Sequence, residues 1–240
     1  MVVIAGMMLY VLHSIGQISA IGMFRIDGED GLTLAEMAVV SAGGVAGMVV
    51  FLAAAALVHR PMAQGIPFAN IDFDTVGLRA RGADLRVGVI GFLLIFPIVL
   101  LVNGLARAAA DMVARAKGTA RPDEVMHATL DQLQAGTTDV WWWLLVLMIT
   151  ISTPIYEELL FRGYLQSALL RLTGSARSAI VITSVIFVAP HIPVVEPHGL
   201  IGLFVLSLGF GVAMERTGRL AAPMLMHALF NAVNIGIAMM

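Results

Sequence analysis

Seven apolar stretches dominate this chain and leave it few ways to fold. They run roughly Val2–Phe24, Ala35–Val58, Val87–Leu105, Val140–Pro154, Ser178–His191, Leu200–Met214 and Leu220–Met239. At a rise of 1.5 Å per residue, about 20 residues cross the hydrocarbon core of a bilayer. The fourth, fifth and sixth stretches are short by that measure and need polar extensions or shielding by neighbours. Charged residues make up 12% of the 240, about half the share of a soluble domain. With 59% hydrophobic residues and a mean hydropathy of +0.92, the chain has too little polar surface for a soluble core of this size. The predicted fold is all-α: a polytopic transmembrane bundle of about seven membrane-spanning helices, with the lipid bilayer as its first partner. The net charge of −2 and the lack of a basic patch argue against nucleic acid. The absence of cysteine excludes disulfides, thiolate catalysis and Cys-ligated metal.

Polar, Gly- and Pro-punctuated breaks separate the stretches: RIDGEDG, an Arg-rich segment from His59 to Arg86, KGTARPDE, TGSAR, PVVEPHG and ERTGR. The piece DEVMHATLDQLQ reads as a short interfacial helix or as a loop. Residues 1–139 are expected to supply N-terminal membrane helices and loops, and residues 140–240 a catalytic core integrated with them. The N-terminus has no basic region and is expected to be a retained span. Arg60, Arg79, Arg81, Arg86, Arg171, Arg177, Arg216 and Arg219 fall on one side; Arg25, Arg107, Arg115, Lys117 and Arg121 fall on the other. The positive-inside rule then places the first group and the N-terminus in the cytoplasm. One lysine against thirteen arginines suggests a prokaryotic source, and so an inner (cytoplasmic) membrane. Gly43 and Gly47 form a small-xxx-small pair suited to helix packing.

Within this apolar background stands YEELLFRGYLQ, Tyr156 to Gln166. Charge in hydrocarbon is expensive and marks function or a compensating partner. On a helix, Glu158 and Arg162 share a face at i,i+4, whereas Glu157 points about 100° away. Glu157 is therefore the carboxylate left without a local cation, and a general base suits that position. Solvation of both glutamates at a helix end is the alternative from this segment alone. FVAPH then sets Phe187 and His191 at i,i+4 near the end of one span, and HALFN sets His227 and Asn231 at i,i+4 within the last. At 1.5 Å per residue, Glu157 and His191 each lie about 21 Å from the TGSAR turn, with Asn231 about 17 Å and His227 about 11 Å into the last helix. The four groups are expected to share one cavity.

The motifs EELLFR, FVAPH and HALFN, in that order on successive membrane helices, resemble the CAAX-prenyl-protease and bacteriocin-processing (CPBP, or Abi) family of intramembrane proteases. The resemblance covers roughly Val140 to Met240. It implies a helical bundle, often of eight helices, whose cavity hydrolyses peptide bonds. Eukaryotic relatives remove the last three residues of prenylated proteins; bacterial relatives are linked to bacteriocin immunity or peptide processing. By the resemblance, Glu157 and His191 deprotonate a water, and His227 and Asn231 donate to the oxyanion. Glu158 and Arg162 form a supporting ion pair, with Phe187 beside them. The substrate is a peptide or membrane protein, with or without a lipid. Metal-free glutamate catalysis is favoured, with no cofactor; Glu157, His191 and His227 nevertheless offer zinc one carboxylate and two imidazoles.

Two readings of other classes stand beside the protease. One is a catalytically silent scaffold or bacteriocin-immunity protein that binds a peptide or partner helix. The other is a transporter with a carboxylate–histidine proton relay, for which no inverted repeat is visible. Ser152 and Ser184 lack a marked base partner. His13 reads as buried packing, and His59, His127 and His198 as solvated loop residues. Asn103 and Asp111 share a face of the third helix. Trp141, Trp142 and Trp143 read as an interfacial belt.

Overall fold

The structure, a computed structural model, describes residues 2–24, 32–62, 81–120 and 127–240. Eight helices carry the described chain: α1 (Val2–Phe24), α2 (Leu34–Met62), α3 (Gly82–Lys117), α4 (Ala128–Ala135), α5 (Val140–Thr173), α6 (Ala176–His191), α7 (Pro197–Thr217) and α8 (Ala221–Ala238). The fold is an all-helical membrane bundle. Six of the helices, α1, α2, α3, α5, α7 and α8, are long and apolar enough to cross a bilayer, and α6 is a shorter apolar helix. The fourth apolar stretch is short in sequence because α5 continues through the charged motif to Thr173. Arg25, Arg79 and Arg121, which entered the orientation argument, lie outside the described residues, as does the start of the DEVMHATLDQLQ segment.

Local chemistry sets the helix ends. Asp139 accepts from the backbone N–H of Trp141 and Trp142 at 2.9 and 3.0 Å, capping α5. Ser175 caps α6 through Ser178 N–H, while Gly118, Gly174 and Gly218 close α3, α5 and α7 in the left-handed conformation. Asp84 accepts from Arg81 N–H at 2.9 Å and pairs with Arg219 Nε at 2.8 Å, joining the start of α3 to the α7–α8 turn. Both side chains are largely buried, so Arg219 is a structural cation.

Three apolar clusters place α5 and α8 at the centre. Phe92, Val99, Leu206, Phe210 and Met226 join α3, α7 and α8. Leu9, Met48, Phe51 and Leu159 join α1, α2 and α5. Ala38, Leu133, Trp142, Leu145 and Ile235 join α2, α4, α5 and α8. Trp142 belongs to this core: its indole N–H donates to Leu133 O at 3.0 Å, whereas Trp141 and Trp143 are exposed. Glycines bring α1 and α2 into backbone contact, since a Cβ at Gly43 or Gly47 would collide with the backbone of Gly16 or Leu12. Outward-facing Leu, Ile, Val and Met side chains cover α1 and α3, as a lipid-facing surface requires.

Candidate active site

Pro154 shapes the helix that carries the glutamates. α5 has two π-helical segments, Met148–Ser152 and Leu159–Gln166, on either side of an α turn, Thr153–Glu158. In π register the N–H of residue 154 would serve Ile149 O, but proline has no N–H. Asn231 Nδ2 takes that role instead, donating to Ile149 O at 2.9 Å from α8. The irregular backbone is thus tied to the last helix by the very asparagine of HALFN.

Glu158 and Arg162 lie at the most buried part of the site, both fully excluded from solvent. Arg162 Nη1 donates to Glu158 Oε1 at 3.0 Å, and Nη2 donates to Ser207 Oγ at 2.6 Å and Ser207 O at 3.1 Å. The guanidinium also sits 4.7 Å from the Phe187 ring centre and 5.1 Å from that of Phe210, a cation–π pair. One turn on, Gln166 Nε2 reaches Gly211 O at 3.1 Å and Glu215 at 3.0 Å. The two contacts to α7 advance in step, so α5 and α7 run parallel.

His227 bridges the two glutamates. Its Nδ1 is 3.0 Å from Glu158 Oε1 and its Nε2 is 3.8 Å from Glu157 Oε2. The ring stacks on Phe210 at 4.9 Å. His191 Nδ1 lies 2.9 Å from Phe187 O. A carbonyl only accepts, so Nδ1 carries the hydrogen and the neutral ring keeps an Nε2 lone pair for proton transfer. Phe187 sits between the two imidazoles, 4.9 Å from His191 and 6.1 Å from His227. Arg162 of α5, His191 of α6 and His227 of α8 thus meet around one phenylalanine.

Among the described residues no group of three His, Cys, Asp or Glu side chains is arranged to hold a metal ion. A cavity of ≈ 190 Å³ opens beside Glu157, walled by α1 and α2 as well as α5. Sequence reasoning missed this wall and the anchor Ser207. Its signals were faint: a serine and glycines spaced along α7, and small residues on α2. His198 is buried at the start of α7, and His127 is half-buried as the cap of α4, accepting from Thr129 N–H at 3.1 Å. Neither is the solvated loop residue expected, because the loops fold back on the bundle: His127 forms a bridge with Val195. Burial, reinforced by nearby His191, pushes His127 down to about 4. Asn103 is buried against Gly202, and Asp111 pairs with Arg115 at 2.6 Å.

Residues 139–233 match the family model described as Type II CAAX prenyl endopeptidase Rce1-like. This segment is similar to that family along its matched length. It begins at the cap of α5 and includes every residue of the three motifs. No curated protein and no solved structure matches the chain. The helices that wall the cavity from α1 and α2 lie outside the Rce1-like segment.

Proposed function

We propose that the protein is an intramembrane endopeptidase, in which Glu157 and His191 activate a water against a peptide bond. The observation that carries this reading is the assembly of partly buried Glu157 with buried Glu158, Arg162 and His227 inside the segment that matches the Rce1-like family. Glu157 is the carboxylate without an arginine, and its Oε2 has no hydrogen-bond partner among the described residues. It accepts the proton of the attacking water, with His191 Nε2 as the second acceptor that orients it. The hydroxide oxygen bonds to the scissile carbonyl carbon, and the π electrons move to its oxygen.

His227 and the second Nδ2 hydrogen of Asn231 then face the developing oxyanion. Since His227 Nδ1 serves Glu158, its Nε2 donates only as part of an imidazolium. That charge brings two carboxylates, one guanidinium and one imidazolium to neutrality, as burial favours. Collapse of the tetrahedral adduct breaks the C–N bond, and the proton held by Glu157 passes to the leaving amine. Glu158, Arg162 and Phe187 act through position: they fix His227 and pack between the imidazoles. The substrate is a peptide or membrane protein, with or without a lipid, in a prokaryotic inner membrane with the N-terminus cytoplasmic. The test is a peptide library incubated with purified protein in detergent, with products read by mass spectrometry. The wild type should release internal cleavage products and Glu157→Gln should not; equal cleavage by both refutes the proposal.

A further inference from the structure

α6 ends on His191, and a short loop, residues 192–196, returns the chain to α7. Ile192, Pro193 and Val194 of that loop are exposed, whereas Val195 is buried. Val195 is also the residue that pairs with His127, as a single antiparallel bridge. His127 is extended, at φ −137° and ψ 121°, and its Nδ1 accepts from Thr129 N–H at 3.1 Å to cap α4. On the loop side, the N–H groups of Val194 and Val195 both donate to His191 O, at 3.0 and 2.9 Å. The His191 carbonyl is therefore gripped by the residue that His127 holds, while its ring is fixed by Phe187 O. The two imidazoles are close enough for charge on His191 to act on His127. At its other end α4 is tied to α8 and α5: Gln134 Nε2 donates to Ala238 O, and Leu133 O accepts from the Trp142 indole. α4 thus joins the loop of His191 to the helices that carry Glu157, His227 and Asn231, and it lies outside the matched residues 139–233.

We propose that His127 is a positioning residue for His191: as the cap of α4 and the partner of Val195, it fixes the turn that carries the His191 imidazole. This role rests on the endopeptidase reading and adds to it a residue outside the three motifs. A bridge of one residue pair is weak by itself, because it lacks the neighbouring ladder bonds of a sheet. Its hold depends on the rigidity of the segments it joins. Capping supplies that rigidity on the α4 side, since the acceptor satisfies an otherwise orphaned N–H where the chain enters the helix. His191 Nε2 must stay within hydrogen-bond reach of the water that Glu157 deprotonates, and a misplacement of about 1 Å can cost roughly 10² in rate. His127 acts through the turn and touches no reacting atom.

Three full-length variants in detergent test the clamp. The readouts are turnover of one library peptide that the wild type cleaves, and hydrogen exchange of the Val194 and Val195 amides. His127→Leu keeps the bulk and removes the cap acceptor. It should lower kcat about tenfold or more, leave KM within about twofold, and speed exchange of both amides. His127→Asn restores a cap acceptor and should return kcat to within about threefold of the wild type, with normal exchange. The third variant carries His127→Cys and Val195→Cys in a chain that otherwise has no cysteine. Facing residues of an antiparallel pair lie about 4.5–5.5 Å apart at Cα, within the range of a disulfide. Reduced, this variant should be slow, because the cap acceptor is lost. Oxidised, it should gain at least about fivefold in kcat, as the covalent tie replaces the cap. An oxidised form no faster than the reduced one overturns the proposal, as does a kcat in His127→Leu within about twofold of the wild type. Equal losses in His127→Leu and His127→Asn assign the effect to the imidazole rather than to the cap, and also overturn it. If exchange follows the cap while the wild type hydrolyses no peptide, the endopeptidase reading fails and the clamp stands. If cleavage depends on Glu157 but not on His127, the clamp fails and the reading stands.

Discussion

Arg162→Met tests how much of the site is held by one buried cation. The substitution keeps an unbranched chain of similar reach but removes the 3.0 Å contact to Glu158 and both bonds to Ser207. It also removes the charge that lies between Phe187 and Phe210. Glu158 stays fully buried, with His227 Nδ1 as its remaining partner. Removing one member of a buried pair costs roughly 3–5 kcal/mol, because the other charge is left uncompensated. In a chain of this length that corresponds to a fall of about 6–20 °C in Tm. Glu158→Gln should fall in the same range. The double variant leaves no stranded charge, so it should melt above the sum of the single losses by at least about 1 kcal/mol. The assay is thermal or SDS unfolding of purified protein in one detergent, with activity measured in parallel. Single variants that melt like the wild type, or losses that add without coupling, refute the structural role of the pair.

Asn231→Ala should lower turnover by about 10²–10³ through loss of an oxyanion donor, and also cost about 1–3 kcal/mol, because Ile149 O loses its partner; unfolding and single-turnover measurements on one preparation separate the two effects. Wild-type protein treated with chelator and dialysed should keep its activity, with substoichiometric metal by elemental analysis; stoichiometric zinc lost together with activity in His227→Ala would contradict this. Burial pushes His127 down to about 4 from the usual imidazole value of 6.5, so it contributes stability that is present above about 6.5 and is lost as pH falls from there towards 4. Protonation at Nδ1 also removes the acceptor that caps α4. His127→Asn, which keeps a cap without titrating, should flatten that part of the stability–pH curve, as followed by hydrogen exchange of α4 amides.

Much of this arrangement was legible because membrane helices write their constraints in composition. Apolar length fixed the all-helical class; of the four residues expected to share one cavity, Glu157 and His227 lie 3.8 Å apart, and the cavity beside Glu157 is lined from α1, α2 and α5 rather than by His191, His227 or Asn231. The i,i+4 rule also brought Glu158 to Arg162, where the 3.0 Å contact lies. What the sequence hid depends on contacts between distant segments. Asn231 holds Ile149 O because Pro154, which follows the π segment Met148–Ser152, has no N–H to give that carbonyl, and no local pattern announces a π segment. His227 reaches both glutamates because α8 crosses α5 at that level, a matter of packing rather than spacing. His13 read as packing, and it does pack, but its partners could not be read from a lone histidine in a span: Tyr156 stacks on it, and Gly44, 31 residues on, opens room for its ring. Trp142 differs from its two neighbours only by the side of α5 on which it falls.

The most direct test of the Glu157–His191 mechanism is a double-mutant cycle on kcat/KM with one cleavable peptide. Glu157→Gln and His191→Ala should each lose about 10²–10⁴ or more, as expected when a general base is removed. Because both act on the same water, the double variant should be little worse than the poorer single variant. All three proteins should extract and melt as the wild type does. Either single variant within about tenfold of wild type, or losses that multiply in the double variant, would contradict activation of one water by these two residues.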